Sequence, residues 1–137
     1  MTELPDLLPE DVARLDAQRA FVERYIGDDA TRDNYKKPAG KLGMLRALLN
    51  AKGVRPDQTW ELQAMGVVLG DALVQELGLR WVMVEDEYGR DPAVVVPGTS
   101  VRLFPLTMIA KRVEAGEPLD VFDLFNWTAD QVEQARR

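Results

Sequence analysis

One break in periodicity constrains this chain more than any other feature. Leu62, Met65, Leu69, Leu73 and Leu77 recur at helical spacing, the pattern of a helix with one buried stripe. Gly78 follows, where a glycine closes a helix. From Leu79 to Val84 the residues turn aromatic, aliphatic and β-branched, and the pattern is that of a strand. Ala93 to Val96, bounded by Pro92 and Pro97, and Val101 to Phe104, after Gly98-Thr99, predict two more strands. Strands this close in sequence pair antiparallel, so residues 79–104 read as a three-stranded meander. Pro92 and Pro97 are expected at strand ends, where a missing ladder donor does little harm. Helices grouped before and after such a meander, rather than alternating with its strands, define an α+β fold.

The helices follow from their stripes and stops. Pro9-Glu10-Asp11 opens the first, with Val12, Leu15, Val22 and Ile26 inward and Gly27 ending it. Asp28 to Gly40 reads as a loop. A second helix is predicted from about Lys41 to Lys52 on Leu42, Leu45, Leu48 and Leu49. Asp57 or Thr59 is the expected N-cap of the third, which runs to Leu77. Gly66 and Gly70 lie on one face of it. Each costs up to about 1 kcal/mol against Ala, so the pair predicts close approach by another element, expected under the sheet. Pro105 starts a helix that Gly116 ends. The last helical region, about 121–134, is expected to break near Asn126-Trp127-Thr128, with Thr128 as a new N-cap. Trp60, Trp81, Trp127, Phe104, Phe122 and Phe125 are predicted core anchors. The expectation is one α+β domain of four to five helices packed on the meander, with a helical part at about 9–77 and closing helices at about 105–135.

Composition removes much chemistry. The 137 residues include no Cys and no His. Disulfides, thiolates, the usual general base and the usual transition-metal ligand are therefore absent. Ser100 and Thr107 have no imidazole to activate them, and neither a catalytic residue nor a cofactor is predicted. The N-terminus lacks the basic and apolar regions of a signal peptide. The longest apolar stretch, Ala64 to Leu69, is too short to span a bilayer. A cytoplasmic protein with no membrane partner is expected. The net charge of −6 is uneven: residues 32–55 carry +6 and the remainder −12. A chain so acidic is a poor nucleic-acid binder, since phosphate affinity comes from clustered Lys and Arg.

Two segments carry the remaining candidates. Glu85, Asp86, Glu87 and Asp91 lie within one predicted turn, beside Tyr88 and Arg90 and just after Trp81. They read as a metal site, an acid–base cluster, a partner-facing loop or a solvated tip. The spacing does not fit an EF-hand loop; a Mg²⁺ site needs only one or two carboxylates plus a ligand phosphate. Acid–base work requires burial of one carboxyl, which a wet hairpin tip does not provide. A charged tip blunts strand edges against aggregation. It also repels itself, which a cationic partner would relieve, and Arg90 can pair with one carboxylate to reduce that excess. No metal ligand is assigned. Trp81 is a partner hot spot if it faces outward. The second segment is Lys36, Lys37 and Lys41, at a helix N-terminus that favours anions. It lacks P-loop spacing and reads as a candidate anion site or as a solvated loop.

Between about Glu61 and Gly116 the chain resembles a bacterial family, domain of unknown function 3806. The residues that carry the resemblance are Leu62 to Leu73 (LQAMGVVLGDAL), Trp81 to Pro92 (WVMVEDEYGRDP), Pro97 to Ser100 (PGTS) and Leu103 to Ile109 (LFPLTMI). The resemblance implies a compact cytoplasmic α+β domain of a bacterial protein and supplies no catalytic residue. Gly66, Gly70 and Asp71 share its block, which suggests that Asp71 joins the acidic turn in one surface. The functional expectation is a non-enzymatic module that binds a basic protein partner through Trp81, Glu85, Asp86, Glu87, Tyr88, Arg90 and Asp91. Its sharpest form is an immunity protein that neutralises a bacterial toxin. The alternatives are a Mg²⁺-dependent or phosphate-binding enzyme or sensor that uses Lys36, Lys37 and Lys41, and a secretion chaperone or adaptor.

Overall fold

The computed structural model describes residues 2–4 and 6–137. Its elements run β1 (Thr2–Leu4), α1 (Pro9–Glu23), α2 (Asp29–Tyr35), α3 (Pro38–Asn50), α4 (Thr59–Leu77), β2 (Arg80–Asp86), β3 (Gly89–Val95), β4 (Arg102–Leu103), α5 (Pro105–Glu114) and α6 (Val121–Ala135). The fold is α+β, as the periodicity predicts. The helix count exceeds the expected four to five because Asp28 to Tyr35 is not all loop. Asp28 caps α2, accepting from the Thr31 amide at 2.7 Å, and Tyr35 is its one buried residue. A seven-residue helix with a single anchor has no hydrophobic stripe to read.

The predicted meander β2-β3-β4 is present and antiparallel, and β1 adds a fourth strand on the outer edge of β2. The pairing Arg80↔Val95 through Asp86↔Gly89 sets the register of the central hairpin. Pro92 lies inside β3 rather than at its end. It is tolerated because β4 pairs only with Val94 and Val95, which leaves β3 as an edge at Pro92.

α4 is the centre of the core. Leu62, Met65, Leu69 and Leu73 are at most 1% exposed, and α1, α3, α5 and α6 contact this helix. The Gly66–Gly70 face is a close approach, but not under the sheet alone. A Cβ on Gly66 would lie 2.6 Å from the Leu106 Cα, so the start of α5 rests on bare backbone. A Cβ on Gly70 would lie 2.6 Å from the tip of the Trp81 ring.

Other boundaries moved for local reasons. The N-cap of α4 is Gln58 rather than Asp57 or Thr59, and α3 begins at Pro38, the N1 position that suits proline. Val12 is exposed, and the inward positions of α1 are Asp11, Leu15, Gln18 and Val22. α6 is unbroken. The Thr128 hydroxyl is fully used within the helix, donating to the Leu124 carbonyl at 2.8 Å. Trp60 and Trp127 are not core anchors, being 44% and 57% exposed. Among the described residues no helix is long and apolar enough to cross a membrane.

Candidate functional site

The acidic turn forms at the closed end of the β2–β3 hairpin. Asp86 and Gly89 face each other across a two-residue loop, Glu87-Tyr88. The Asp86 carboxylate accepts from the Tyr88 amide at 2.8 Å, an Asx turn that locks the tip. Gly89 has φ +123°, a conformation that side-chain-bearing residues rarely adopt. Tyr88 stands at the apex, 87% exposed.

Strand alternation divides the carboxylates. Glu85 shares a sheet face with Trp81 and Met83, while Asp91 sits opposite Val84 on the other face, the one Asp86 also takes. The first face meets the helices: Trp81 and Val94 pack with the main core. The second is a separate cluster of Val82, Val84, Ala93 and Val95, against which Phe104 packs and to which, among the described residues, no helix adds an apolar side chain. Asp86 therefore fringes this second face, Glu87 occupies the tip, Glu85 lies on the first face, and Asp91, where β3 runs on beyond β4, lies near Arg14 of α1 and Leu106 of α5. Among the described residues none of the four has an ion-pair partner, and no group of three carboxylates converges to hold a metal ion.

Arg90 does not neutralise the turn. It sits across from Glu85 in the register but donates to the Asp11 carboxylate on α1. Asp11 also accepts from the Leu8 amide at 2.8 Å. Arg90 thus tethers the hairpin to the start of α1. Trp81 is turned inward as well: it packs on Gly70 and its indole N–H donates to Asp71 at 3.0 Å.

Asp71 does not join the acidic turn. It lies beside Trp81, at the opposite end of β2, and accepts from Arg19 Nε at 2.7 Å and Nη2 at 2.8 Å. This bidentate bond is the main reason the Arg19 guanidinium is held above its ordinary pKa. Sequence reasoning missed this cluster because Arg19 and Asp71 are 52 residues apart. Tyr35 and Lys41 extend it. Burial, then the Glu23 and Asp71 charges, push the Tyr35 hydroxyl upward against Arg19. Burial lowers the pKa of Lys41, opposed by Asp71 and Glu23.

The basic segment is dispersed by the fold. Lys41 donates to the Tyr35 carbonyl at 2.8 Å and lies 5.2 Å from that residue's ring centroid. Lys36 pairs with Asp33 at 3.3 Å on the surface, and Lys37 is the exposed N-cap of α3. Arg46 bridges to Asp120 at 3.0 Å and covers the Phe122 ring, tying α3 to α6. Much of the local positive charge serves as internal tethers.

A family model described as Domain of unknown function (DUF3806) matches residues 41–125, more than half of the chain. A solved structure from Bacteroides thetaiotaomicron is similar at a TM-score of 0.77 and 15% identity, covering 95% of this chain and 47% of that one. That likeness is one of fold, and this chain spans about half the length of that protein. No curated protein matches the chain.

Proposed function

The chain belongs to the DUF3806 family, a family defined without an activity, and from that premise we propose that it is a non-enzymatic module that binds a basic protein partner through the hairpin tip. The observation that supports this reading is a set of four carboxylates with no ion pair among the described residues, around an aromatic residue standing clear of the surface. Glu87 and Tyr88 are the outermost anchors, with Glu85, Asp86 and Asp91 around them. Trp81 and Arg90 hold the hairpin in place from within. Unpaired negative charge speeds encounter with a positive surface and selects against negative ones. An exposed tyrosine supplies contact area at small entropic cost. In its sharpest form the module is an immunity protein, and the partner is a toxin that it blocks by occupancy.

The test is capture of the partner from the native host, followed by charge reversal at Glu85→Lys and Glu87→Lys. The expected result is a basic partner whose association slows with added salt and weakens in the reversed variant. Equal binding by the variant, with the same salt dependence, would reject these anchors. The toxin form further requires that the partner arrest growth when expressed alone and be silenced by co-expression of this chain.

A further inference from the structure

A second site lies on the flank of the hairpin, where β3 runs on beyond β4. There α1, α4, β3 and the start of α5 enclose a cleft of about 240 Å³. Its apolar side is made by Pro92, Phe104 and Leu106, and its polar side by Arg14, Gln63 and Asp91. Pro92 and Leu106 are buried and Phe104 is half-buried, so this side presents fixed apolar surface.

The polar groups are what mark the cleft. Arg14 and Asp91 carry opposite charges and line the same small space, yet no ion pair joins them. Among the described residues neither they nor the Gln63 amide has a hydrogen-bond partner. The first turn of α5 opens beside them, and its N-cap, Phe104, contributes no side-chain acceptor. The positive end of its dipole adds to Arg14 as a seat for a carboxylate. Asp91 is a seat for an ammonium group. Gln63 can donate to one and accept from the other.

We infer that this cleft binds a small zwitterion, an α-amino acid with an aliphatic side chain, with its carboxylate toward Arg14 and the α5 N-terminus, its ammonium toward Asp91, and its side chain on Pro92, Phe104 and Leu106. The volume equals roughly eight waters of liquid, which suits one amino acid and is too small for a nucleotide. A neutral apolar ligand would leave both charges unmatched, and a simple anion would be repelled by Asp91.

The experiment is calorimetric titration of the full chain with L-leucine, then with N-acetyl-L-leucine, which lacks the ammonium, and L-leucinamide, which lacks the carboxylate. Saturable binding of L-leucine is expected, with each derivative weaker by at least about tenfold, the loss of one charge-assisted hydrogen bond. Arg14→Ala and Asp91→Asn should each weaken L-leucine to a similar extent with unchanged circular dichroism, since both side chains are on the surface. Equal binding of all three ligands, no binding of L-leucine at millimolar concentration, or unaltered binding by both variants would overturn the assignment. Arg14 lies outside the acidic turn. Arg14→Ala is therefore expected to lose the amino acid while keeping the protein partner, which separates this site from the docking tip.

Discussion

At the scale of single residues, the most informative group is Tyr35. It is 8% exposed, and its hydroxyl makes no hydrogen bond among the described residues. Its environment, chiefly burial and then the carboxylates of Glu23 and Asp71, favours the protonated form, with Arg19 opposing. The folded chain therefore keeps a proton that the unfolded chain releases above pH of about 10. The stability this contributes is complete below that pH and declines as pH rises through it. Lys41 acts in the opposite sense: its lowered pKa makes stability rise with pH up to the ordinary lysine value. Tyr35→Phe has no proton to lose. Denaturant titrations from neutral pH to about pH 11 should show the alkaline decline flattened in this variant. Its stability at neutral pH should stay within about 1 kcal/mol of the parent, because no hydrogen bond is removed. An undiminished decline would show that other groups unfold the chain in base.

At the scale of elements, the contact between α4 and α5 decides most. Glycine at position 66 lets the α5 start lie directly on the α4 backbone. Gly66→Ala should raise intrinsic helix propensity by about 1 kcal/mol and still destabilise the protein by about 2 kcal/mol net, because the obstructing atoms are backbone and cannot rotate away. Gly70→Ala meets a side chain instead, the Trp81 ring, and should cost less. A smaller residue in the double variant Gly70→Ala with Trp81→Leu should recover part of that loss, which thermal denaturation of the two single variants and the double variant will read. Additive losses would mean that the ring and the glycine face are not coupled. The same element-level logic explains α2 and α6. A short polar segment became helical because Asp28 capped it and Tyr35 anchored it. A predicted break vanished because Thr128 found its acceptor one turn back in its own helix.

At the scale of the whole molecule, the sheet has helices on one face and β1 along one edge. β1 pairs with Met83, Val84 and Glu85, so it covers the β2 edge next to the acidic turn. Removing residues 1–4 should expose those ladder groups and leave a template for strand addition. The expected outcome is lower thermal stability and concentration-dependent association, read by light scattering coupled to size exclusion. A truncated chain that stays monomeric with unchanged stability would show that β1 contributes nothing to edge protection. Glu85 and Asp86 on β2 and Glu87 at the tip lie near this edge, and their charge opposes such association between copies.

What the chain determined by itself was written mostly in strong local periodicity; weaker local signals, the Asp28 cap and Thr128, were misread. The long α4 helix, the glycine that ends it, the antiparallel hairpin with its acidic end and the proline-started α5 were legible, because each depends on neighbours within a few residues; the turn read over residues 85–92 is instead a two-residue loop, because ladder pairing carries β2 to Asp86 and starts β3 at Gly89. Exposure of Glu87 and Tyr88 followed from the same reasoning. What only the tertiary structure decided was which distant group answers which charge. Arg90 bonds Asp11 instead of a neighbouring carboxylate, and Asp71 bonds Arg19 and Trp81 rather than joining the turn. Lys41 turns to Tyr35, and β1 returns to pair with β2. Arg90 and Asp11 are 79 positions apart and Arg19 and Asp71 are 52, while Lys41 reaches Tyr35 across 6. These pairings are settled by the packing of whole helices against the sheet, where burial and geometry, rather than sequence spacing, bring one donor to one acceptor.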